Sequence, residues 1–272
     1  MSMFDTNGRR FADNYRVFGK SPVGAHSPSF YYKLENTTVD FEKILENSKS
    51  FLGIDKNLNV KDFRSKCENL TEKIKRNTQI NNILNGVCIP FLCKLDSFSD
   101  LGSYFENNFL PAINKSFINL FPDAHFKAVL QGDTKLEKHI KIDPDSNYQE
   151  FINAAQKDVV VGLFFPQATQ EFDVQSQREQ MREFTPQNNI CLSGGFDTVA
   201  ALVGKPDLLM SQNFYTPILC MSSFLHIDPR LVLLMKAYGP HLEFWLMTQM
   251  LTKDITQVSE QWTCGITVFD NL

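Results

Sequence analysis

Residues 216–251 read TPILCMSSFLHIDPRLVLLMKAYGPHLEFWLMTQML, a long and densely apolar stretch with few polar interruptions. Asp228 before Pro229 is typical of a helix start, because aspartate caps exposed N–H groups and proline fits the first helical position. Gly239 before Pro240 is typical of a helix end. A helix that is apolar on nearly all sides must be buried. The stretch therefore predicts a buried, bundle-like centre built from consecutive apolar elements, with helices on both sides of Gly239.

A membrane-spanning segment is the alternative for residues 208–227, which contain no Asp, Glu, Lys or Arg. Serine, glutamine, asparagine, proline and histidine interrupt this run, whereas a membrane span needs about 20 predominantly apolar residues. We therefore predict that the run belongs to a protein core and that the chain has no transmembrane segment.

Composition limits the class of protein and its partners. The chain has 272 residues, of which 43% are hydrophobic and 21% charged, an ordinary globular balance for one large domain or two modest ones. A net charge of −4 gives no strong signal for nucleic-acid binding, so a protein partner is the expectation.

Location is inferred from the start of the chain and from its thiols. No continuous apolar segment of the kind that secretory signals contain is visible in residues 1–20. The six cysteines are spread among apolar neighbours, which is typical of free buried thiols. These features predict a cytoplasmic protein, although export by a signal-independent route stays open. The abundance of Asn, Lys, Ile and Phe is typical of an AT-rich genome and is shared by secreted effectors of intracellular bacteria.

The predicted fold class is α+β and predominantly α-helical, with an apolar helical C-terminal core and a few short strands. Residues 1–36 are predicted to form an extended, aromatic-rich arm, residues 37–142 a helical region and residues 143–272 an α+β region. The last two are also compatible with one continuous domain.

Hydrophobic periodicity and turn residues predict the individual elements. We expect residues 87–95 to form an apolar connection, and the glutamine-rich residues 167–184 to form a helix at the surface or facing a partner. Helices are predicted at residues 38–51, from residue 60, at 97–109, 111–121, 148–157, 198–203 and 255–262, and strands at 125–130, 158–165 and 265–269.

The sharpest chemical motif is a glycine turn before a predicted helix, with the sequence LSGGFDTVA at residues 192–200. Two glycines let backbone N–H groups approach phosphate oxygens, and the start of a helix presents its positive end. The motif resembles the SGGxD[ST] loop of PP-loop ATP pyrophosphatases, which activate a substrate by adenylation and release pyrophosphate. The resemblance implies that Ser193, Gly194, Gly195 and Thr198 grip the phosphates of ATP and that Asp197 helps to place magnesium.

A thiol nucleophile is a second hypothesis for an enzymatic function. Cys191 lies beside the glycine turn and Cys220 lies in the apolar stretch, and either could be paired with His226 or His241 as a base. This arrangement would make the chain a cysteine hydrolase. No spacing of His, Cys, Asp or Glu predicts a metal site.

Two classes of function remain open from the sequence. The preferred one is a binding or regulatory protein without enzymatic activity, which would use the aromatic arm and the glutamine-rich helix as contact surfaces. The alternative is an enzyme that depends on a nucleotide or on a thiol. An open, phosphate-sized pocket over Gly194 and Gly195 would favour the nucleotide-dependent enzyme.

Overall fold

A computed structural model describes residues 2–11, 31–35, 38–54, 57–130, 135–184, 189–249 and 260–272 of the chain. The predicted aromatic arm (residues 1–36) therefore lies mostly outside the described residues. Its described part includes the buried side chain of Phe4 and the exposed side chain of Tyr31.

Seven α-helices are described, and several begin at a residue whose side chain caps the first turn. The side chains of Asp40, Asn59 and Asp100 each accept a backbone N–H from the helix that follows. The helices are α1 (Phe41–Leu52), α2 (Val60–Arg76), α3 (Leu101–Tyr104), α4 (Leu110–Leu120), α5 (Tyr148–Lys157), α6 (Val174–Glu179) and α7 (Gly195–Gly204). A π-helical turn (Phe105–Phe109) joins α3 to α4, and 3-10 turns occupy Asn81–Asn85 and Gln180–Glu183.

Eleven strands in the described residues form three sheets. The strands are β1 (Ile89–Cys93), β2 (Phe126–Val129), β3 (Ile140–Ile142), β4 (Val160–Phe165), β5 (Ile190–Leu192), β6 (Ile218–Cys220), β7 (Phe224–His226), β8 (Leu231–Tyr238), β9 (His241–Thr248), β10 (Trp262–Cys264) and β11 (Ile266–Asn271). The first sheet has the order β1-β4-β11-β5, the second β10-β6-β8-β9-β2, and the third pairs β3 with β7. The first sheet is antiparallel throughout, while β10 and β2 pair in parallel at the two edges of the second.

The prediction of a predominantly helical fold is wrong. The described chain has 37% helical and 25% strand residues in a mixed α+β arrangement. The difference comes mainly from the predicted helical centre at residues 216–251, whose described part, residues 216–249, contains strands β6 to β9. Asp228 and Pro229 lie in the connection from β7 to β8, and Gly239 and Pro240 form the tight turn of the β8–β9 hairpin, in which Tyr238 pairs with His241. Proline and glycine mark turns between strands as readily as they mark helix ends.

Several smaller predictions can also be compared with the structure. The helices at residues 38–51 and 148–157 and the strand at 158–165 are confirmed by α1, α5 and β4. The apolar connection at 87–95 is wrong, because its centre is strand β1. Of the helix predicted at 255–262, residues 255–259 lie outside the described residues, and Trp262 begins strand β10.

The glutamine-rich residues 167–184 do not form the predicted surface helix. Gln170, Gln177 and Gln180 are buried, and only the short α6 and the 3-10 turn after it are helical. The Gln170 side chain donates to the backbone oxygen of Tyr32 at 2.8 Å, and the Gln177 side chain donates to the backbone oxygen of Phe172 at 2.9 Å. These amides therefore tie loops together in the interior, where buried polar groups need partners.

The hydrophobic core lies on both faces of the first sheet. Phe91 belongs to one buried cluster together with residues of α4, α5 and α7, whereas the adjacent Leu92 belongs to a second cluster with residues of α2. Strand β8 is divided in the same way, since Leu233 faces the first cluster and Leu234 the second. Both sheets are therefore covered on two sides, which explains why their strands are apolar at consecutive positions.

No helix among the described residues is long and apolar enough to cross a membrane. The boundary predicted between residues 142 and 143 stays a prediction. Strand β1 precedes this boundary and pairs over five residues with β4, which follows it.

Candidate functional site

The glycine turn of residues 193–198 lies in the interior, between the end of β5 and the start of α7. Four of its backbone donors are already engaged. The Ser193 N–H donates to the Gly265 oxygen at 2.9 Å, and the Gly194 N–H donates to the Asp197 carboxylate at 2.9 Å. The N–H groups of Phe196 and Asp197 both donate to the hydroxyl oxygen of Tyr148, at 3.0 and 3.2 Å. The Tyr148 hydroxyl thus takes the place that an anion would need at this helix start.

Aromatic rings pack directly against the two glycines. A Cβ atom on Gly194 would lie 2.6 Å from the Tyr148 ring, and one on Gly195 would lie 2.4 Å from the Phe224 ring. Ser193, Asp197 and Thr198 are buried as well. Glycine is therefore required here for the close packing of side chains on the turn, and the rings of Tyr148 and Phe224 occupy the space above it.

Asp197 holds this turn to the rest of the core. Its carboxylate accepts from the Tyr148 hydroxyl at 2.8 Å and from the Thr267 hydroxyl at 2.6 Å, in addition to the Gly194 N–H. Burial raises the pKa of Asp197 above its usual value of 3.8, although hydrogen bonds from Thr267, Tyr148, Ser193 and Gly194 oppose the rise. The carboxylate that the resemblance assigns to magnesium is thus a hydrogen-bonded link between β11, α5 and α7.

The thiols proposed as nucleophiles are also interior. Cys191 and Cys220 are buried, and burial raises the pKa of both, which disfavours the reactive thiolate. Neither thiol has a histidine as a hydrogen-bond partner among the described residues. His226 accepts from the Asp228 N–H at 3.0 Å, and His241 accepts from the His125 N–H at 3.1 Å. Burial lowers the pKa of His226 below its usual 6.5.

No group of three or more His, Cys, Asp or Glu side chains that could hold a metal ion occurs within the described residues.

An open cleft lies elsewhere, at the end of the second sheet beside the β8–β9 turn. We call it the aromatic cleft. It has a volume of about 810 Å³ and is bordered by Tyr32, Tyr215, Tyr238, Phe214 and Lys236. Tyr215 is 61% exposed and Tyr238 is 66% exposed. Tyr31, which is 56% exposed, stacks on Tyr215 with ring centroids 5.1 Å apart and rings inclined by 21°.

Backbone contacts place these rings. Tyr32 and Tyr215 form a parallel bridge, and the Lys33 N–H donates to the Tyr215 oxygen at 3.1 Å. Tyr238 ends β8 immediately before Gly239, whose φ of 57° allows the tight turn. The position of the rings is therefore set by a loop bridge on one side and a hairpin turn on the other.

The described lining of the aromatic cleft combines apolar and polar side chains with one charged residue, Lys236. Leu209, Ile218 and Trp262 line the cleft and are buried. The Lys236 ammonium lies 4.2 Å from the centre of the Trp245 ring and 3.7 Å from the Glu243 carboxylate. Such an arrangement offers exposed ring faces and amide side chains, with buried apolar residues beneath them.

The sequence reading missed this cleft for a physical reason. Tyr238 falls within the apolar stretch 216–251 and Tyr215 within the apolar run 208–227, and both segments are predicted to belong to the core. The useful signal was their position beside turn residues, Pro217 for the first and Gly239 for the second, because side chains next to a turn tend to be exposed.

Comparisons of the chain with models of protein families, with curated proteins and with solved structures found no match.

Proposed function

We propose that this chain is a binding or regulatory protein without enzymatic activity and that the aromatic cleft receives a segment of a protein partner. The observation that carries the proposal is the grouping of exposed tyrosines above the buried side chains of Ile218 and Trp262. Among the described residues, three of the seven large apolar side chains that are exposed are Tyr31, Tyr215 and Tyr238.

Tyrosine is well suited to such contacts. It offers a large surface with few rotatable bonds, so little conformational entropy is lost when a partner fixes it. A partner that places an apolar side chain over Ile218 and Trp262 would be surrounded by ring faces, an arrangement in which a few central residues supply most of the binding energy. Exposed amide side chains at Gln212 and Asn213 are available to hydrogen bond the backbone of the partner.

The charge pattern favours protein over nucleic acid. Binding to a phosphate backbone depends on unpaired lysine and arginine side chains. Lys236 is the one charged side chain among the described residues that line the aromatic cleft, and its ammonium lies 3.7 Å from the Glu243 carboxylate. The six cysteines are free, five of them buried, which supports a cytoplasmic setting in the cell that makes the chain or in a host cell.

The test is a selection from a displayed random-peptide library against the full chain, followed by affinity measurements on a Tyr215→Ser, Tyr238→Ser double variant. Loss of two central aromatic contacts should lower the affinity of the selected peptides roughly thirtyfold, which corresponds to about 2 kcal/mol of binding free energy. Ile118→Ser is the matched control, since Ile118 is an exposed apolar residue on α4 and does not line the aromatic cleft.

Selection of no peptide above the background of an unrelated folded protein would contradict the proposal, as would peptides that bind the double variant and the native chain equally. Single-stranded oligonucleotides are measured in parallel. Oligonucleotide binding that disappears in the double variant, without peptide binding, would assign the aromatic cleft to nucleic acid instead.

A further inference from the structure

The surface that the aromatic cleft offers to a partner consists of aromatic rings and hydrogen-bond donors. Tyr215 and Tyr238 are exposed, and so are Gln212 and Asn213, which line the same cleft. The Tyr238 hydroxyl and the two side-chain amides have no hydrogen bond to another residue in the part of the chain that the structure describes. All of these groups lie at the surface, so a ligand can reach them. The cleft therefore combines accessible ring faces with accessible donors.

The rings are held in position by their neighbours before any ligand binds. Tyr31 stacks on Tyr215 with ring centroids 5.1 Å apart, and Tyr32 lies tilted against the same ring with centroids 6.1 Å apart. Tyr31 and Tyr32 also contact each other edge to face, at 5.2 Å. Across the cleft the Lys236 ammonium lies 5.4 Å from the centre of the Tyr238 ring. Rings that are already fixed lose little conformational entropy when a ligand packs on them.

The backbone around the aromatic cleft does not favour the addition of a β-strand. Strands β8 and β9, whose turn borders the cleft, are interior strands of the second sheet. Strand β10 is an edge strand, but its outer side already accepts from the N–H groups of Thr169 and Glu171, at 3.3 and 2.7 Å. The Tyr215 oxygen accepts from the Lys33 N–H at 3.1 Å. A partner that binds as an added strand needs an open row of backbone groups, and these elements do not supply one.

An α-helical partner would also match the cleft poorly. A helix satisfies its backbone groups internally and enters a groove through an apolar face. The apolar side chains of Ile218 and Trp262 are buried and present little surface, whereas the amides of Gln212 and Asn213 are exposed. An apolar helix face would cover these amides without giving them a partner, which costs binding energy.

We propose, on the basis of the function proposed above, that the partner segment is rich in proline and binds the aromatic cleft as a polyproline II helix. This helix has no internal hydrogen bonds, so its carbonyl oxygens accept from hydroxyl and amide donors such as Tyr238 and Gln212. Proline has no N–H group and therefore needs no acceptor from the cleft. Its ring packs on aromatic faces, and its restricted backbone limits the entropy lost on binding. The segment needs no charge, because Lys236 lies 3.7 Å from the Glu243 carboxylate.

The experiment titrates the full chain with decaproline while NMR follows the side-chain amides of Gln212 and Asn213. A flexible decapeptide of glycine and serine is the control ligand. Saturable shifts are expected with decaproline alone. Tyr215→Ser and Tyr238→Ser each remove one ring, so each should raise the Kd for decaproline roughly tenfold.

Two further variants separate the ring from the hydroxyl and the cleft from the rest of the surface. Tyr238→Phe keeps the ring and loses only the donor, so it should raise the Kd roughly fivefold, less than Tyr238→Ser does. Ile118→Ser is the matched control and should leave the Kd unchanged, because Ile118 is exposed but does not line the aromatic cleft. Tyr238→Ser also stands alone if Tyr215→Ser does not fold, since Tyr215 supports the Tyr31 ring.

The outcomes distinguish this proposal from the broader one. If library-selected peptides bind the native chain and lose affinity in the Tyr215→Ser, Tyr238→Ser double variant while decaproline does not bind, the proline-rich partner is wrong and the protein-binding cleft stands. If neither binds, both proposals are wrong. Equal decaproline affinity in the native chain and in the serine variants would place its site elsewhere and overturn the proposal. Maltoheptaose is titrated in parallel, because sugar rings also pack on aromatic faces. Maltoheptaose binding that the serine variants lose, without decaproline binding, would assign the cleft to carbohydrate and overturn both proposals.

Discussion

At the scale of single residues, Asp197 shows how burial decides the role of a group that looks catalytic in sequence. A phosphate loop needs free N–H donors and open space. Here the Asp197 carboxylate and the Tyr148 hydroxyl take those donors, and both side chains are buried. The same residues that would hold ATP and magnesium in a PP-loop enzyme join three elements of the core in this chain.

The raised pKa of Asp197 predicts a pH dependence of stability. In the unfolded chain this carboxyl titrates near 3.8, whereas the folded pKa is higher. Between the two values the folded state binds the extra proton, so the free energy of unfolding falls as the pH rises, by about 1.4 kcal/mol per pH unit at full effect. The contribution of Asp197 to the free energy of unfolding is complete below pH 3.8, and it is lost as the pH rises through the folded pKa.

The measurement is urea unfolding of the native chain and of Asp197→Asn from pH 4 upward. Asparagine keeps the oxygen that accepts from Tyr148 and Gly194 but does not ionise. We expect the free energy of unfolding of the native chain to decline relative to the variant as the pH rises and then to run parallel to it. A difference that is constant over the whole range would show that the folded pKa of Asp197 is not raised. Asp143, whose pKa is also raised, is unchanged in both proteins and cancels in this difference.

At the scale of elements, glycine is needed at two positions for different reasons, turn geometry at Gly239 and close packing at Gly194. Gly239 in the β8–β9 turn has a φ of 57°, and a Cβ atom there would meet nothing within 4 Å. Gly239→Ala should therefore cost only the left-handed backbone strain, about 1 kcal/mol. Gly194→Ala would force the buried Tyr148 ring to move, so overpacking should cost about 3 kcal/mol, with further loss if the Tyr148 hydrogen bonds break.

Urea midpoints at unchanged slope measure both effects. Gly53→Ala serves as a second turn control, because Gly53 also has a positive φ, of 67°, and no neighbour within 4 Å of the added atom. Equal losses at Gly194 and Gly239 would mean that the glycine turn is not tightly packed and could open toward a ligand.

Some of these elements could be predicted from the sequence and others could not. The amphipathic patterns of α1, α2 and α5 were readable because each of these helices has one buried face. Strand β4 was readable because it is short and rich in β-branched residues. Strands β8 and β9 could not be predicted from the sequence. Both of their faces are largely buried, and leucine, methionine and alanine replace the usual β-branched residues.

The candidate sites also could be predicted from the sequence only in part. The sequence located the glycine turn before a helix but could not show that Tyr148, 45 residues or more away in the chain, covers it. The aromatic cleft joins residues from positions 32, 215 and 238. Contacts between distant residues of this kind leave no local pattern in one sequence.

At the scale of the whole molecule, the first sheet joins the two regions predicted from the sequence, residues 37–142 and residues 143–272. Strand β4 of region 143–272 pairs with β1 of region 37–142 on one side and with β11 on the other. One buried cluster contains Phe105 and Phe109 from the helical region together with Phe196 and Phe224 from the other. Packing of this extent indicates that neither region completes its core alone.

A fragment of residues 143–272 should therefore fail to fold when it is produced alone. Its β4 would lose a paired edge, and the rings of Phe196 and Phe224 would lose the Phe105 and Phe109 partners 4.7 to 6.0 Å away. We expect a poorly dispersed NMR spectrum, no near-UV circular dichroism and no cooperative unfolding transition. Addition of a fragment of residues 1–142 should restore all three signals, because it returns β1 and the aromatic partners. A dispersed spectrum and a cooperative transition from the isolated fragment would instead show that residues 143–272 are an independent domain and that the β1–β4 pairing is a contact between domains.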